Sequence, residues 1–373
     1  MNGALPPTYD EHTPEPWGAD AEPDAATKPL PLLFGPELAA ELPPLSYLVA
    51  AIGMVDGSGA PHLFAGYGFS GKTVALQSMM LSLAAGRAVW GVHTTRPRKV
   101  VHVDLEQGER LTRRRYQRLA LGMGLDLPEL GDAIAVAIMP PLGLVAACES
   151  RWEELMAGRD LLVVDSFRAA VGGQDENASD VRAGLDLLGR VSERTGCRAC
   201  VIHHARKPPI VPTGASAAFD VRGSGAIFDA CDCVYQLGAA SGEPVQVKHT
   251  KARSHGEPVE DFALVIEDVE EGGDPRAGLR VMVHGIELID ERREASEARK
   301  RSIQVARDAS RILAAVQSRP GLGTRELRAI LRISGDRFSA AVVELGLKID
   351  ARQERLPGQG GQAALRHYPR GPT

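Results

Sequence analysis

The sequence predicts an α/β fold in which a mostly parallel central sheet is covered by helices, with a small second domain following it. Between about residues 29 and 290, short apolar runs alternate with amphipathic stretches, which is typical of parallel strands joined by crossover helices. A chain of 373 residues, 44% of them apolar, is long enough for two domains with buried cores as well as tails. We therefore divide it into a tail over 1–28, a core over 29–290, a connecting helix over 291–306 and a C-terminal domain over 307–373.

The elements of the core follow from this alternation. Short β-branched runs predict strands, and longer stretches with helical periodicity predict the helices between them. The candidate strands are His62–Ala65, Val100–Val103, Leu161–Val164, Ala199–Ile202, Cys233–Gln236, Val245–His249 and Phe262–Ile266. The candidate helices are Val74–Ala85, Gly108–Leu121 and Ser179–Thr195.

The segments outside the core indicate a soluble chain in a reducing compartment. Residues 1–27 contain five prolines and six acidic residues but no Lys or Arg, a composition typical of a disordered tail. The longest apolar stretch, Ala133–Ala147, is too short for a membrane span, and no cleavable signal opens the chain. Five cysteines without a framework spacing fit a reducing environment. We expect a cytoplasmic protein with no membrane partner.

One octapeptide carries the strongest functional signal. Residues 66–73, Gly-Tyr-Gly-Phe-Ser-Gly-Lys-Thr, fill the phosphate-binding pattern G-x-x-x-x-G-K-[ST] between a predicted strand and a predicted helix. The glycines let backbone N–H groups approach phosphate oxygens, the lysine can reach the β and γ phosphates, and the threonine hydroxyl can bind Mg²⁺. The pattern predicts a nucleoside triphosphate and Mg²⁺ as ligands; the alternative is a glycine-rich turn. The residues assigned to nucleotide binding are Gly66, Gly68, Ser70, Gly71, Lys72, Thr73 and Val74.

Two acidic residues at strand ends complete a predicted hydrolytic site. Asp165 ends the run Leu-Leu-Val-Val-Asp, and we expect its strand to lie next to the strand of the phosphate-binding loop, where a carboxylate can help hold Mg²⁺. Glu106 follows another strand and is the candidate general base. Asp104 would point to the same face but deeper in the sheet, so it is the weaker candidate. The alternatives are a turn-capping Asp165 and a Glu106 that only begins the next helix.

Four segments, which together span about residues 45–255, resemble the RecA-like hexameric ATPases, and within them the RepA-type and DnaB-like helicases. The resemblance implies a RecA-like P-loop NTPase core. It also implies that His204, beside His203, senses the γ-phosphate; the alternative is a pair of core histidines. The segments are Gly-Tyr-Gly-Phe-Ser-Gly-Lys-Thr at 66–73, Val-Asp-Leu-Glu-Gln-Gly at 103–108, Leu-Leu-Val-Val-Asp-Ser-Phe-Arg at 161–168 with Asp-Glu-Asn at 175–177, and Val-Ile-His-His-Ala-Arg-Lys at 201–207.

The same resemblance implies that a neighbouring subunit contributes a cation to each site. Lys251 and Arg253 resemble the Lys-x-Arg pair that DnaB-like helicases present in trans. Some RepA-type proteins instead carry an arginine ten residues after an Arg-Gly-Ser-Ser segment, but counting ten from Arg222 reaches Asp232. Lys251 and Arg253 are therefore the candidates, with Arg222 a further possibility; the alternative is a set of solvated surface cations.

Two predicted loops leave the ligand edge of the sheet, at 168–180 and 205–221. In RecA-like rings the equivalent loops line a channel that grips single-stranded DNA, which implies that Arg206 and Lys207 follow the DNA backbone. Loops with two cations also occur without that function. The five cysteines include Cys197-x-x-Cys200 and Cys231-x-Cys233, which we interpret as buried apolar residues and not as zinc ligands. The run Arg113-Arg114-Arg115 is interpreted as the solvated face of a helix.

The C-terminal domain shows a winged-helix order of three helices and a hairpin. Its charge supports nucleic-acid binding, because residues 307–373 contain 12 Lys or Arg against 6 Asp or Glu. Arg337, in the third helix, is the candidate nucleic-acid contact; a protein-interaction surface is the alternative. The helical patterns are Ser310–Val316, Thr324–Arg332 and Asp336–Leu345, followed by strands at 348–352 and 364–368.

Taken together, these features predict an ATP-driven motor that acts on single-stranded DNA as a homo-hexameric ring, a helicase or translocase of a plasmid, phage or mobile element. The first alternative is an ATPase of the same fold that switches DNA binding in regulation, repair, recombination or defence without unwinding. The second is a non-hydrolysing DNA-binding protein that keeps ATP as a structural ligand, which the intact set Lys72, Thr73, Glu106 and Asp165 disfavours.

Overall fold

The computed structural model describes residues 32–93, 95–172, 181–204, 225–238, 243–354 and 363–370. The chain divides into two compact units, residues 1–44 and 45–373. In the first unit the described residues contain one short helix, α1 (Gly35–Leu38). The predicted tail over 1–28 lies outside the described residues.

A large mixed sheet forms the centre of the second unit, and a two-stranded antiparallel pair, β1 with β2, precedes it. The sheet contains nine strands of the described residues, in the spatial order β11-β10-β9-β8-β3-β7-β6-β4-β5. The six strands from β8 to β5 run parallel, whereas β9, β10 and β11 are joined in antiparallel fashion. The strands are β1 (Tyr47–Val49), β2 (Met54–Val55), β3 (His62–Gly66), β4 (Val100–Asp104), β5 (Ile134–Ile138), β6 (Leu161–Asp165), β7 (Arg198–His204), β8 (Cys233–Gly238), β9 (Val245–Ala252), β10 (Phe262–Glu271) and β11 (Asp274–Gly285).

Helices cover both faces of this sheet. Successive residues of β3 point to opposite sides, so Leu63 and Ala65 join one apolar cluster while Phe64 joins the other. A strand that is buried on both faces of a sheet needs apolar residues at nearly every position. This explains why polar and apolar residues do not alternate along the parallel strands. The predicted α/β fold with a mostly parallel central sheet is confirmed. The helices are α2 (Lys72–Ala85), α3 (Glu109–Met123), α4 (Glu149–Met156), α5 (Phe167–Ala170), α6 (Val181–Thr195) and α7 (Gly225–Ala230).

The strand order corrects one expectation about the site. The strand of Asp165, β6, does not lie next to β3, because β7 pairs with both of them and separates them. Asp165 nevertheless reaches the phosphate-binding loop, since parallel strands end at the same edge of a sheet. At that edge Asp104 is paired with Asp165, and Gly66 with His204.

A single helix of 32 residues, α8 (Glu287–Ser318), leaves the sheet and enters the C-terminal region. The separate connecting helix over 291–306 and the helix over 310–316 are therefore parts of one helix. No Gly or Pro interrupts residues 287–318, so nothing in the sequence stops the helix before Pro320. At 1.5 Å per residue the helix is roughly 48 Å long.

The C-terminal region packs two further helices and a small antiparallel sheet against the end of α8. Its apolar cluster includes Ile312 and Val316 of α8, together with Leu327, Phe338 and Leu345. Its strands lie in the order β12-β14-β13. No helix of the described residues is both long and apolar enough to cross a bilayer. The elements are α9 (Thr324–Leu331), α10 (Gly335–Leu345), β12 (Leu322–Gly323), β13 (Ile349–Glu354) and β14 (Ala364–Pro369).

Candidate nucleotide-binding and catalytic site

The phosphate-binding loop joins the end of β3 to the start of α2. Gly66 is required by close packing, because a Cβ there would lie 2.2 Å from the carbonyl oxygen of Leu237 on the neighbouring strand. Gly71 has φ +80°, a left-handed conformation that favours glycine, and it is the N-cap residue that precedes α2. A Cβ on Gly68 would meet no atom within 4 Å, so the described residues leave open space on that side of the loop.

Lys72 lies inside the loop with its ammonium group held by loop oxygens. Its Nζ donates to the carbonyl oxygens of Gly66 at 2.8 Å and Tyr67 at 2.7 Å, and to Ser70 Oγ at 3.2 Å. Burial lowers the pKa of Lys72 to about 8, although the carboxylates of Asp165 and Glu106 oppose the shift. The lysine is therefore still cationic at neutral pH, and it lies inside a loop suited to polyphosphate.

The side chains of Thr73 and Asp165 meet across 92 residues of sequence. Thr73 Oγ1 donates to Asp165 Oδ2 at 2.8 Å, and Gln107 Nε2 approaches the same oxygen at 3.3 Å. Asp165 Oδ1 is buried and has no hydrogen-bond partner among the described residues. Burial raises the pKa of Asp165 to about 6, and the Glu106 and Asp104 carboxylates act in the same direction while the Thr73 bond opposes them.

These two side chains fit a magnesium ion. Mg²⁺ prefers oxygen ligands and is commonly held by one or two carboxylates together with substrate phosphates. A buried carboxylate oxygen without a partner, next to a threonine hydroxyl at the start of α2, supplies such a donor set. Bound Mg²⁺ would favour the charged form of Asp165 and so offset the effect of its burial.

Glu106 and His204 form a second pair at the same edge. His204 Nε2 lies 3.2 Å from Glu106 Oε2, and the hydroxyl of Ser166 donates to Glu106 Oε1. The hydrogen bond with His204 is the largest cause that lowers the pKa of Glu106, and Ser166 and Lys72 contribute to it against the effect of burial. The side chains of His204 and Glu106 are 35% and 32% exposed, so a water molecule and a bound ligand can reach both.

The neighbours of this pair have structural roles. Asp104 is fully buried and accepts hydrogen bonds from the backbone N–H groups of Glu106 at 3.0 Å and Gln107 at 2.9 Å, and from the hydroxyl of Thr112. It therefore shapes the turn that presents Glu106. His203 is buried in a T-shaped contact with the ring of Phe167, and burial lowers its pKa to about 4, so it is neutral in the core.

Three polar residues of the site were missed in the sequence. Gln107 bridges two charged groups, because its amide nitrogen approaches Asp165 and its amide oxygen accepts a hydrogen bond from Arg115. Arg115 is half-buried, so one member of the arginine run is not on a solvated face. Ser166 could have been found in the sequence, because it is a polar residue that directly follows the strand-ending carboxylate of Asp165. No local pattern marked Arg115.

Two other members of the predicted set pack along α2 and its loop. Ser70 is buried beside Lys72, and Val74 is half-buried against the core cluster under the sheet. Both side chains therefore pack against other residues of the chain. Ser70 and Val74 would contribute to nucleotide binding through their backbone N–H groups, in the loop and in the first turn of α2.

Lys251 and Arg253 lie far from the phosphate-binding loop of their own chain. In the sheet register Lys251 pairs with Val234, which pairs with Leu63 near the start of β3, whereas the loop follows the end of that strand. Lys251 Nζ donates to the carbonyl oxygens of Phe228 at 2.6 Å and Asp229 at 3.2 Å, and Arg253 also donates to Asp229. The two cations thus cap the end of α7 at the opposite edge of the sheet.

The predicted nucleic-acid residues are only partly described. Arg206, Lys207 and Arg222 lie outside the described residues, as do most of the two predicted loops. Arg337 lies in α10 and makes a two-pronged ion pair with Asp308, a fully buried carboxylate of α8, at 2.7 to 2.9 Å. The structure therefore gives the Arg337 guanidinium a partner inside the C-terminal region.

The cysteines behave as buried apolar residues. Cys197, Cys200, Cys231 and Cys233 are all buried, and all five cysteines are free thiols. Two groups among the described residues have metal-ligand spacing, Cys233 with His249 and His255, and Cys233 with His62 and Asp232; neither contains a second cysteine. His249 Nδ1 already accepts the Val259 N–H at 3.1 Å, so a metal would have to displace that bond or bind the other nitrogen after it loses its proton.

Comparison with known proteins gives the family. A family model described as an AAA domain matches residues 23–209, just over half of the chain. The chain belongs to this AAA-domain family, and its fold is that of a P-loop NTPase. No curated protein matches the sequence significantly. Among solved structures, the chain is similar to a DnaB-like replicative helicase described with its interactions with primase, at 12% identity and a TM-score of 0.42; the match covers 60% of this chain and 59% of that one.

Proposed function

We propose that this protein hydrolyses ATP and uses the energy to move along single-stranded DNA, and so to unwind a duplex. One observation carries the first half of the proposal: Lys72, Thr73, Asp165, Glu106 and His204, which are distant in sequence, meet at the carboxyl edge of one parallel sheet. Ligands of open α/β sheets bind at that edge.

Each of these side chains has a definite task in hydrolysis. Lys72 would exchange the loop carbonyl oxygens for phosphate oxygens, and Thr73 and Asp165 would hold Mg²⁺, which neutralises charge on the β and γ phosphates. A carboxyl group is ionised at neutral pH and the hydrogen bond with His204 lowers the pKa of Glu106 further, so Glu106 can accept a proton from the attacking water. His204 lies 3.2 Å from Glu106, so its hydrogen bonding would change when the γ-phosphate is released.

The second half of the proposal concerns assembly and DNA. Lys251 and Arg253 lie at the sheet edge opposite the phosphate-binding loop, so a catalytic role for them requires the site of a neighbouring subunit, as in a homo-hexameric ring. Arg206 and Lys207 would face single-stranded DNA in the channel of that ring. The three helices and the small sheet at the C-terminus support a winged-helix domain that binds duplex DNA, with an excess of Lys and Arg over residues 307–373.

The decisive experiment measures ATP turnover with and without single-stranded DNA, together with the mass of the assembly in the presence of nucleotide. Glu106→Gln keeps the size and hydrogen-bonding capacity of the side chain but removes the base, and we expect turnover to fall by at least about 100-fold while ATP binding persists. Turnover stimulated by single-stranded DNA, lost in this variant, together with a hexameric mass, is the expected result. A basal rate that is indifferent to DNA, from a monomer or dimer, would contradict the motor.

A nucleotide-dependent switch is the second candidate, and one observation favours it. Helix α8 runs without interruption from the end of β11 into the C-terminal apolar cluster, so a change at the nucleotide site can reach the C-terminal region through a single rigid element. Such a protein would hydrolyse ATP and change its affinity for duplex DNA, but it would not displace a strand. A strand-displacement assay distinguishes it from the motor.

A further inference from the structure

A cavity of about 450 Å³ lies directly beside the phosphate-binding loop. One wall is Tyr67, the second residue of that loop, and another is formed by the facing ends of β8 and β9, at Gly238, Pro244 and Gln246. The third wall is the first part of α8. Its size is within the range of small-molecule sites, and the phosphate-binding loop forms part of its lining.

One stripe of α8 faces this cavity. The lining residues of the helix are Ile289, Arg293, Ser296, Glu297 and Lys300, a spacing of three and four residues that puts them on a single helical face. Ile289 is buried at the base of the stripe, whereas Arg293, Glu297 and Lys300 are exposed. The cavity is therefore open to solvent on the side of the exposed residues and closed by a buried side chain at Ile289, as is typical of a ligand site.

The chemistry of the lining suits a nucleoside better than a phosphate. Tyr67, Pro244 and Ile289 line the cavity with largely apolar side chains, against which a flat base can pack. Among the described residues, the charged members of the lining are two acidic ones, Glu243 and Glu297, and two basic ones, Arg293 and Lys300. The charges of these four residues cancel, so this part of the lining does not favour a polyanion, while its carboxylates and amide can accept hydrogen bonds from hydroxyl and amino groups.

We propose that this cavity holds the base and ribose of the nucleotide whose phosphates lie in the loop at 66–73, and that α8 thereby senses nucleotide occupancy. This inference rests on the proposed ATP site and identifies the part of the protein that binds the nucleoside. Beyond Lys300 most of the helix surface is exposed as far as Arg307, and the helix then enters the C-terminal apolar cluster at Ala309, Ile312 and Val316. The bound nucleoside and the C-terminal region therefore share one continuous helix.

The test separates the nucleoside from the phosphates. ADP and inorganic pyrophosphate carry the same number of phosphates, but only ADP has a base and ribose, and neither requires hydrolysis of a γ-phosphate. Ser296→Trp places a large ring in the cavity, and Ser302→Trp places the same ring on an exposed part of α8 that does not line it. Binding of each ligand with Mg²⁺ is measured by calorimetry for the wild type and both variants.

We expect Ser296→Trp to weaken ADP binding by at least about tenfold, the size of a lost stacking contact, and to leave pyrophosphate binding unchanged. Ser302→Trp is expected to change neither. Unchanged ADP affinity in Ser296→Trp would overturn the inference while leaving the phosphate site intact. A wild type that binds neither ligand would overturn the proposed ATP site, and this inference with it.

A second measurement on the wild type does not depend on the folding of a variant. Amide hydrogen exchange over residues 289–300 is followed with Mg²⁺ and either ADP or pyrophosphate. ADP should slow exchange in this part of α8 and pyrophosphate should not, because only the nucleoside fills the cavity. Equal exchange with the two ligands would contradict the role of α8.

Discussion

Replacing Asp165 with asparagine is expected to stabilise the protein when Mg²⁺ and nucleotide are absent. The pKa of this carboxyl is raised from its ordinary value of 3.8 to about 6, mainly by burial, so the folded protein holds this proton more tightly than the unfolded chain does. The free energy of unfolding therefore falls as the pH rises from about 4 to about 6. At pH 7.5 this cost is about 3 kcal/mol, since one pKa unit corresponds to about 1.4 kcal/mol.

Asparagine has nearly the same shape without the buried charge. Its amide oxygen can still accept the hydrogen bond that Thr73 Oγ1 now donates to Asp165 at 2.8 Å. We expect Asp165→Asn to raise the free energy of unfolding by about 1 to 3 kcal/mol at pH 7.5, and by about half as much at pH 5. Urea unfolding at the two pH values, in the presence of a chelator, measures both differences. Mg²⁺-dependent turnover should be lost in the same variant, because the carboxylate proposed to bind magnesium is removed.

Asp104→Asn is the matched control. Asp104 ends the adjacent strand at the same edge, but it accepts hydrogen bonds from two backbone N–H groups and one hydroxyl. Loss of its charge should destabilise the protein, by about 1 to 3 kcal/mol. If Asp165→Asn also destabilised the protein, or if its effect did not depend on pH, the reasoning from burial of an unpaired carboxylate oxygen would be refuted.

Three further predictions concern the loop, the histidine and the C-terminal region. Gly66→Ala should destabilise the protein by about 1 to 3 kcal/mol in thermal or urea unfolding, because its Cβ would meet a backbone oxygen at 2.2 Å, whereas Gly68→Ala, with no atom within 4 Å, should not. His204→Ala removes the main cause that lowers the pKa of Glu106, so the acid limb of the pH profile of ATP turnover should move to higher pH. Arg337→Ala should destabilise the C-terminal region by about 1 to 2 kcal/mol in urea unfolding, because it leaves a buried carboxylate with weaker partners.

Each of these has an opposite outcome that would count against it. Equal stability of the two glycine variants would mean that the loop can move away from the neighbouring strand. If the acid limb were unchanged in His204→Ala, the group whose titration limits turnover at low pH would not be Glu106. Loss of DNA binding in Arg337→Ala without loss of stability would favour the predicted nucleic-acid contact over the ion pair with Asp308.

The sequence predicted the parts of the site that depend on neighbouring residues. A phosphate-binding loop needs glycine, lysine and threonine at fixed spacing, and its strand and helix adjoin it in the chain, so residues 66–73 identified the loop. The alternation of short apolar runs with amphipathic stretches identified most strands of the central sheet. In the central sheet, strands β5 and β11 were missed, and outside it the short strands β1, β2 and β12 were missed as well. β5 (Ile134–Ile138) was hidden in an apolar stretch judged only as a membrane candidate, and β11 (Asp274–Gly285) begins with polar residues because its first part is exposed.

Contacts between distant segments could not be predicted in this way. The insertion of β7 between β3 and β6 depends on how crossover helices pack, and so does the pairing of Arg337 with Asp308. The half-buried position of Arg115 depends on the packing of α3 against the sheet. In each case the neighbouring residues in the chain permit several arrangements, and burial of apolar surface selects one.

The sequence by itself determined the chemical identity of the candidate site, because a P-loop, a strand-ending Asp165 and a strand-ending Glu106 are local patterns with local physical causes. Only the tertiary structure decided which groups act together. It brought His204 to 3.2 Å from Glu106, left Asp165 Oδ1 buried without a partner among the described residues, and put one face of α8 against a cavity beside Tyr67. Those arrangements follow from the parallel register of the sheet and the packing of helices on it, which no single segment of the chain specifies.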